Sequence, residues 1–303
     1  MLDVRRLRLL REVELRGTLS AVAEALHQSP SSVSQQISQL EREVGTPLLH
    51  RTGRGVALTP AAELLTARVA TILDELEQAE TDLAIAQEDV LGTVDLAVFQ
   101  SAALALMPRT LSLLGRRHPR LRLTMTQHEP ETALRGTWAR DFDLVVAEEY
   151  PGHAAPHHPG LDRVPLTTDR IRLAVPATED FDHVSSLTDA ADLAWTMEPY
   201  GAASRHFAEQ TCRLAGFEPD VRFSTADLQS HLALVRSGNA VALLPELMLT
   251  GQDEGVRLVD LAQDPTRSVF TAARSTSAQR PAIVAVRAAL SEVAAARAAE
   301  SGR

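Results

Sequence analysis

Residues 18–51 read Thr18-Leu-Ser-Ala-Val-Ala-Glu-Ala-Leu-His-Gln-Ser29-Pro30-Ser-Ser-Val-Ser-Gln35-Gln-Ile-Ser-Gln-Leu40-Glu-Arg-Glu-Val-Gly45-Thr-Pro-Leu-Leu-His-Arg51. Thr18 is suited to cap a helix, and Ala21, Val22, Ala25 and Leu26 give that helix an apolar face. The pattern breaks at His27-Gln28. Ser29 then caps a second helix with Pro30 in its first turn, where a missing N–H costs nothing. In that helix Val33, Ile37, Leu40 and Val44 recur at steps of four, three and four, which is one buried stripe. The opposite face carries Ser31, Gln35, Ser38 and Arg42, with Ser32 and Gln39 along one edge and Ser34 along the other. Solvent faces are ordinarily built from Glu, Lys and Arg. Serine is a mediocre helix former, so propensity does not account for this face. Short hydroxyl side chains let a helix backbone approach a duplex, and glutamine pairs bidentately with adenine N6 and N7. The plainer alternative is a polar surface helix.

The following segment favours DNA. Residues 51–59, Arg-Thr-Gly-Arg-Gly-Val-Ala-Leu-Thr, place two glycines in a short basic turn before alternating Val56 and Leu58. That reads as a hairpin with Arg51 and Arg54 at its tip. A basic hairpin beside such a helix is the wing of a winged helix-turn-helix. The candidate DNA contacts are Thr18, Ser29, Pro30, Ser31, Ser32, Ser34, Gln35, Gln39, Arg51 and Arg54.

Residues 2–66 resemble the N-terminal domain of LysR-type transcriptional regulators. The resemblance rests on Leu7 and Leu10, residues 17–26, Ser29-Pro30-Ser-Ser-Val-Ser34, Ile37, Leu40-Glu41, Gly45, Leu48, Arg51, Arg54-Gly55 and Leu58-Thr-Pro60, in order and without gaps. Departures are mild: Leu19 and Leu49 stand where the family often has phenylalanine, and Ala62 where glycine is frequent. Gln35 replaces a common arginine, which bears on base preference rather than on fold.

Composition agrees once its distribution is considered. The chain has 303 residues, enough for two or three domains, and a net charge of −10. Residues 1–60 hold eight arginines against six acids, about +2, which leaves about −12 on the rest. DNA affinity therefore belongs to the amino-terminal domain, doubled by dimerisation. All 30 basic side chains are arginine. The single cysteine, Cys212, reads as a buried structural thiol. With no apolar run of membrane-spanning length and no signal-peptide core, a cytoplasmic protein without a membrane partner is expected.

A long helix follows Pro60. Ala62, Leu65, Val69, Ile72, Leu76, Ala79, Leu83, Ala86 and Val90 alternate in steps of three and four, the a/d pattern of a coiled coil. Residues 61–91 are thus expected to form a linker helix, with Leu65, Val69, Ile72, Leu76 and Leu83 as the dimerisation seam. From Gly92 strands and helices alternate, which indicates a doubly wound α/β fold. The expected organisation is a winged helix-turn-helix domain (1–60), the linker helix (61–91) and an α/β domain (92–303). Leu106-Met-Pro108, His118-Pro119, residues 215–219 and residues 235–245 resemble the effector-binding domain of the same family. The resemblance implies a periplasmic-binding-protein-like fold of two subdomains, about 92–165 with 268–303 and about 166–267, joined by crossovers near 164–168 and 266–270.

Ligands in such sheets lie outside the carboxyl ends of the strands. Gln100 and Ser101, Glu148, and Tyr200, Gly201 and Ala202 occupy those ends, with Gln127 and Thr225 as further polar contacts. Ser101, Gly201 and Ala202 are expected to present helix N–H groups from opposite sides of a cleft. Three histidines in the 150–160 loop, His153, His157 and His158, have spacing too irregular to indicate a metal site. No cofactor is expected beyond a small-molecule co-inducer. The implied partners are double-stranded operator DNA, further copies of the chain as a homodimer or homotetramer, and RNA polymerase. Two rivals are an enzyme or solute-binding protein built on the α/β region, and an architectural repressor whose distal domain only oligomerises. The chain lacks Gly-x-Ser-x-Gly, a phosphate-binding glycine loop and a metal-spaced cluster, so no enzymatic activity is expected.

Overall fold

A computed structural model describes residues 2–53, 55–87, 90–249 and 254–301. The chain divides into two compact units, Met1–Ala86 and Gln87–Arg303.

In the first unit, α1 (Val4–Arg16), α2 (Leu19–Ala25) and α3 (Pro30–Val44) precede a hairpin of β1 (Leu49–Thr52) and β2 (Gly55–Leu58), then the long α4 (Pro60–Ala86). The caps follow the sequence chemistry. Thr18 Oγ1 accepts from Ala21 N at 3.1 Å, and Ser29 Oγ accepts from Ser32 N at 3.1 Å. These satisfy N–H groups that a helix start leaves without partners. Gly17 closes α1 with φ +72°, a left-handed conformation that costs a side-chain-bearing residue energy. Leu7, Leu10, Val13, Val22, Val33, Ile37, Leu40 and Leu48 fill the core. Glu41 Oε1 accepts from Leu48 N at 2.8 Å and Leu49 N at 3.2 Å, which ties α3 to the first strand of the wing. A Cβ on Gly55 would stand 3.1 Å from the Gly17 carbonyl, so glycine lets the wing lie close to the α1–α2 turn.

Two expectations for α4 need correction. Val69 is fully buried in this unit's own core, with Leu65 and Leu73 packed on the same cluster. Val69 and Leu65 therefore serve the winged domain, and only Ile72, Leu76 and Leu83 of the expected seam are exposed. The stripe has two customers in succession, the domain core first. The helix also ends at Ala86, short of Val90, with no basic residue in its last turn to meet the negative end of the helix dipole.

The second unit contains β3 (Gly92–Val98), α5 (Gln100–Ala105), α6 (Met107–Arg117), β4 (Leu121–Gln127), α7 (Pro130–Trp138), β5 (Leu144–Glu149), β6 (Val164–Pro176), β7 (Ala194–Met197), α8 (Ala203–Leu214), β8 (Asp220–Ser224), α9 (Leu228–Arg236), β9 (Ala242–Pro245), β10 (Val256–Val259), β11 (Thr266–Ala273) and α10 (Pro281–Ser301). Strands β3, β4 and β5 pair in parallel; β11 joins β5 antiparallel and then pairs with β6. Sheet order is β10-β6-β11-β5-β3-β4, with β9 also on β6, while β7 and β8 form a separate parallel pair.

The crossovers are strands rather than loops. The 13-residue β6 pairs with β11 up to Arg170 and with β9 and β10 from Ile171 onward. It runs unbroken from one subdomain into the other. Leu96, Leu106, Ile283 and Leu290 centre the first subdomain's main core. Leu173, Trp195, Phe207 and Cys212 centre the second's. Burial pushes the Cys212 thiol up to about 12, so it stays a thiol.

Candidate nucleic-acid interface and effector cleft

On α3 the residues opposite the core stripe face solvent. Ser31, Ser34 and Gln35 are exposed, and Ser32 and Gln39 half-buried. Several of the polar groups are tied locally. Ser29 Oγ lies 3.0 Å from Ser31 Oγ, Gln36 donates to Gln28 Oε1 at 3.0 Å, and Gln39 donates to Glu43 at 3.2 Å. Gln35 has no side-chain hydrogen bond among the described residues, so its carboxamide is free to pair with a base edge. Thr18 and Ser29 cap α2 and α3, and exposed Pro30 opens α3. Arg51 is exposed on β1 opposite Val56. Arg54, expected beside it at the wing tip, lies outside the described residues.

In the second unit, the strand ends named from sequence lie around a cation that sequence reading missed. Arg267, on β11, is only 1% exposed. Its Nε and Nη2 donate to Asp169 Oδ2 at 2.9 and 2.6 Å, and Nη2 donates to Ser101 Oγ at 2.6 Å. Nη1 donates to Glu148 and, at 3.3 Å, to Tyr150 Oη. Asp169 Oδ1 also accepts from Leu247 N at 3.0 Å. The paired crossover strands thus carry a buried Arg267–Asp169 bridge, which gathers Ser101 and Glu148 from the first subdomain.

A second link spans the cleft. Gln100 Nε2 donates to Asp227 Oδ1 at 2.6 Å while its Oε1 accepts from Leu228 N at 2.9 Å. This joins the start of α5 to the start of α9. The Gln100 bond is the main cause holding the Asp227 carboxyl below its usual range. Thr225 Oγ1 accepts from Asp227 N at 3.2 Å, and its carbonyl pairs with His231 Nε2 at 2.8 Å.

Family models match both units: the bacterial regulatory helix-turn-helix protein, lysR family, over residues 4–63, and the LysR substrate binding domain over residues 87–295. The chain belongs to the LysR family. It is 28% identical over 247 residues to the transcriptional dual regulator GltC of Bacillus subtilis, covering 81% of each chain. It is also 28% identical over 254 residues to a malonate utilization transcriptional regulator of Klebsiella pneumoniae, covering 82% of this chain and 80% of that one. In fold it is similar to a full-length OxyR variant from Pseudomonas aeruginosa, with TM-score 0.70, 19% identity, and coverage of 96% and 95%. It is likewise similar to full-length CbnR in complex with target DNA, with TM-score 0.54, 21% identity, and coverage of 96% and 99%. This LysR-type chain is a DNA-binding transcriptional regulator with an effector-binding domain, and modulation by an effector is typical of its family.

Within this LysR-type domain the expected effector residues separate into groups. Glu148, Ser101, Gln100 and Thr225 take part in the buried bridge and the cleft link. Ser101 is fully buried, and its hydroxyl is engaged by Arg267. The Ala202 N–H does not point into a cleft as a free donor; it donates to Pro199 O at 3.2 Å within the turn. Gly201 sits in that turn at φ +97° and is exposed, and Tyr200 is exposed with its ring 3.6 Å from the Arg205 guanidinium. Gln127 is exposed at the end of β4. Glu149 faces the 150–160 loop, where Oε1 accepts from Ala155 N at 3.2 Å. In that loop His158 stacks on Trp138 at 5.6 Å and His153 meets His206 at 5.5 Å. Among the described residues no cluster of three metal-ligating side chains occurs, and no helix is long and apolar enough to cross a membrane.

The electrostatics of the cleft are acidic. Burial pushes Glu148 up to about 7 against the pull of Arg267, and Glu198 raises it further. Burial likewise pushes Glu198 up to about 7, although a hydrogen bond from Ser204 opposes the shift. Glu129 is raised by burial too. The one signal in sequence for Arg267 is its phase: it occupies the inward position between outward Thr266 and Ser268 at the start of an apolar strand.

Proposed function

We propose that α3 reads operator DNA through Gln35, with Ser31 and Ser34 letting the helix sit deep in the major groove. Arg51 then contacts the sugar-phosphate backbone from the wing. The free carboxamide of Gln35 on an otherwise small-residue face carries this reading. The exposed part of α4, Ile72, Leu76 and Leu83, forms the seam between two copies, and the dimer, or a tetramer made of two dimers, engages paired half-sites. The effector lies between the α/β subdomains, where Arg267, Glu148 and Gln100 bind the two halves together. A ligand preferring one arrangement of that cleft shifts the population of the whole regulator. Its output passes through RNA polymerase in the cytoplasm, and it carries no catalytic activity.

The test is operator affinity and base preference measured with the full chain. Gln35→Ala should cost about 1–3 kcal/mol at one base-pair position and relax preference there. Unchanged affinity with unchanged preference would remove Gln35 from the interface.

A further inference from the structure

We infer that a small hollow beneath Tyr150 receives an ammonium group, which makes the effector an organic cation with Glu198 as its counter-ion. This rests on the reading of the cleft as the effector site and adds the chemical class.

The hollow measures about 20 Å³ and is lined by Tyr150, Thr196, Met197, Glu198, Ser204 and His231, among others. That volume admits one water-sized group. An ammonium head has that size.

Thr196 identifies what is missing. It is 1% exposed, and its Oγ1 has no hydrogen-bond partner among the described residues. Its backbone N–H is used elsewhere, donating to Val241 O at 3.0 Å. A buried hydroxyl without a partner costs about 1–3 kcal/mol, so the hollow holds a polar group in want of a partner, and its lone pairs can accept from a donor. An ammonium supplies three donors.

Charge decides between a cation and a neutral donor. Glu198 and Glu129 lie near enough to raise Glu148, and Glu129 near enough to raise Glu198. The cations around them are committed. Arg267 is divided among Asp169, Glu148, Ser101 and Tyr150. Arg205 donates to Glu209 at 2.7 Å and to the Glu198 carbonyl at 3.1 Å. Burial lowers the pKa of His231, whose Nε2 pairs with Thr225 O. An anion entering here meets surplus carboxylate. A cation replaces the protons that otherwise neutralise Glu198 and its neighbours, so binding releases a proton.

Methylammonium, with formate as the anionic control, is the probe for ligand-observed NMR titration of the full chain. Saturable methylammonium binding is expected, with none for formate. Glu198→Gln and Thr196→Val should each weaken it at least tenfold. Thr196→Val removes only an unpaired hydroxyl, so its melting temperature should stay level or rise, which separates lost binding from lost folding. Affinity should also rise about tenfold from about pH 6 to about pH 8, as Glu198 gives up its proton to the incoming cation. Formate binding in place of methylammonium would discard the cation while keeping the cleft as an effector site. Methylammonium binding equal in all three proteins overturns the assignment to this hollow. No saturable binding of either ion means that the hollow holds only water, and the inference fails together with this part of the cleft.

Discussion

Replacing Arg267 with methionine keeps much of the side chain's length and apolar stem while removing its charge and donors. The structure states what is left behind. Asp169 loses donors at 2.9 and 2.6 Å and, among the described residues, keeps only the Leu247 N–H on its other oxygen. Ser101 loses a donor at 2.6 Å, and Glu148 loses its counter-ion. Removing one partner of a buried ion pair costs about 3–5 kcal/mol, mostly because the surviving charge is stranded. Total stability of a domain is about 5–15 kcal/mol, so Arg267→Met should bring the effector domain close to its limit. Both tryptophans, Trp138 and Trp195, lie in the second unit, so tryptophan fluorescence during urea unfolding follows that unit alone. The midpoint should fall with little change in slope.

The pH dependence of that loss has a definite sign. Glu148 already stands at about 7 in the folded protein with Arg267 pulling it down. Without Arg267 it rises further, so the native state holds a proton that the unfolded chain has released above about 4.3. Stability then falls as pH rises through that window, and the penalty should be larger at about pH 8 than at about pH 6. Asp169→Asn in the Arg267→Met background should recover part of the loss, because the stranded carboxylate is gone. A loss below about 1 kcal/mol, or a double mutant that is simply additive, would refute the view of Arg267 as the charge on which the cleft is assembled.

Three further outcomes follow from the same structure. Ile72→Glu with Leu76→Glu should yield monomers by analytical ultracentrifugation without unfolding the winged domain, since both side chains are exposed; persistence of dimers would move the interface elsewhere. Val69→Ala, by contrast, should destabilise the winged domain by about 2 kcal/mol in thermal melts through the cavity it leaves, and an unchanged melt would place Val69 outside that core. Glu198, raised to about 7, holds a proton when folded that it loses when unfolded, so its contribution worsens as pH rises from about 4.3; Glu198→Gln should therefore melt above the wild type at about pH 8, with the difference shrinking in acid.

The winged domain was legible because each of its devices is local. Thr18 and Ser29 cap within three residues of themselves, and the Val33–Ile37–Leu40 stripe follows from helical period alone. The long helix was half legible for the same reason. Period identifies an apolar stripe but not what covers it, and Val69 and Ile72 look alike in sequence while one is buried in the domain core and the other exposed. The stretches expected as crossovers, near 164–168 and 266–270, lie on β6 and β11. Their being continuous strands was not visible, because β6 changes partners from β11 to β9 and β10 without any change in its own alternation.

The cleft was the least legible part, and the reason is physical. Expectation there rested on backbone donors at helix starts, a local feature. What organises the site is a cation 98 residues from its closest carboxylate partner and 166 from the serine it also holds. No period or spacing reports a contact of that separation. The cost of burying charge does report it, once applied. An arginine in the inward phase of an apolar strand cannot be left alone there, so a buried carboxylate must face it. Asp169, inward on the neighbouring crossover and in register with Arg267, is that carboxylate. The same reasoning applied to Thr196 finds a buried hydroxyl with no hydrogen-bond partner among the described residues, beside a Glu198 carboxylate that accepts from Ser204. That asymmetry separates a bridge that completes the fold from the hollow proposed to receive a ligand.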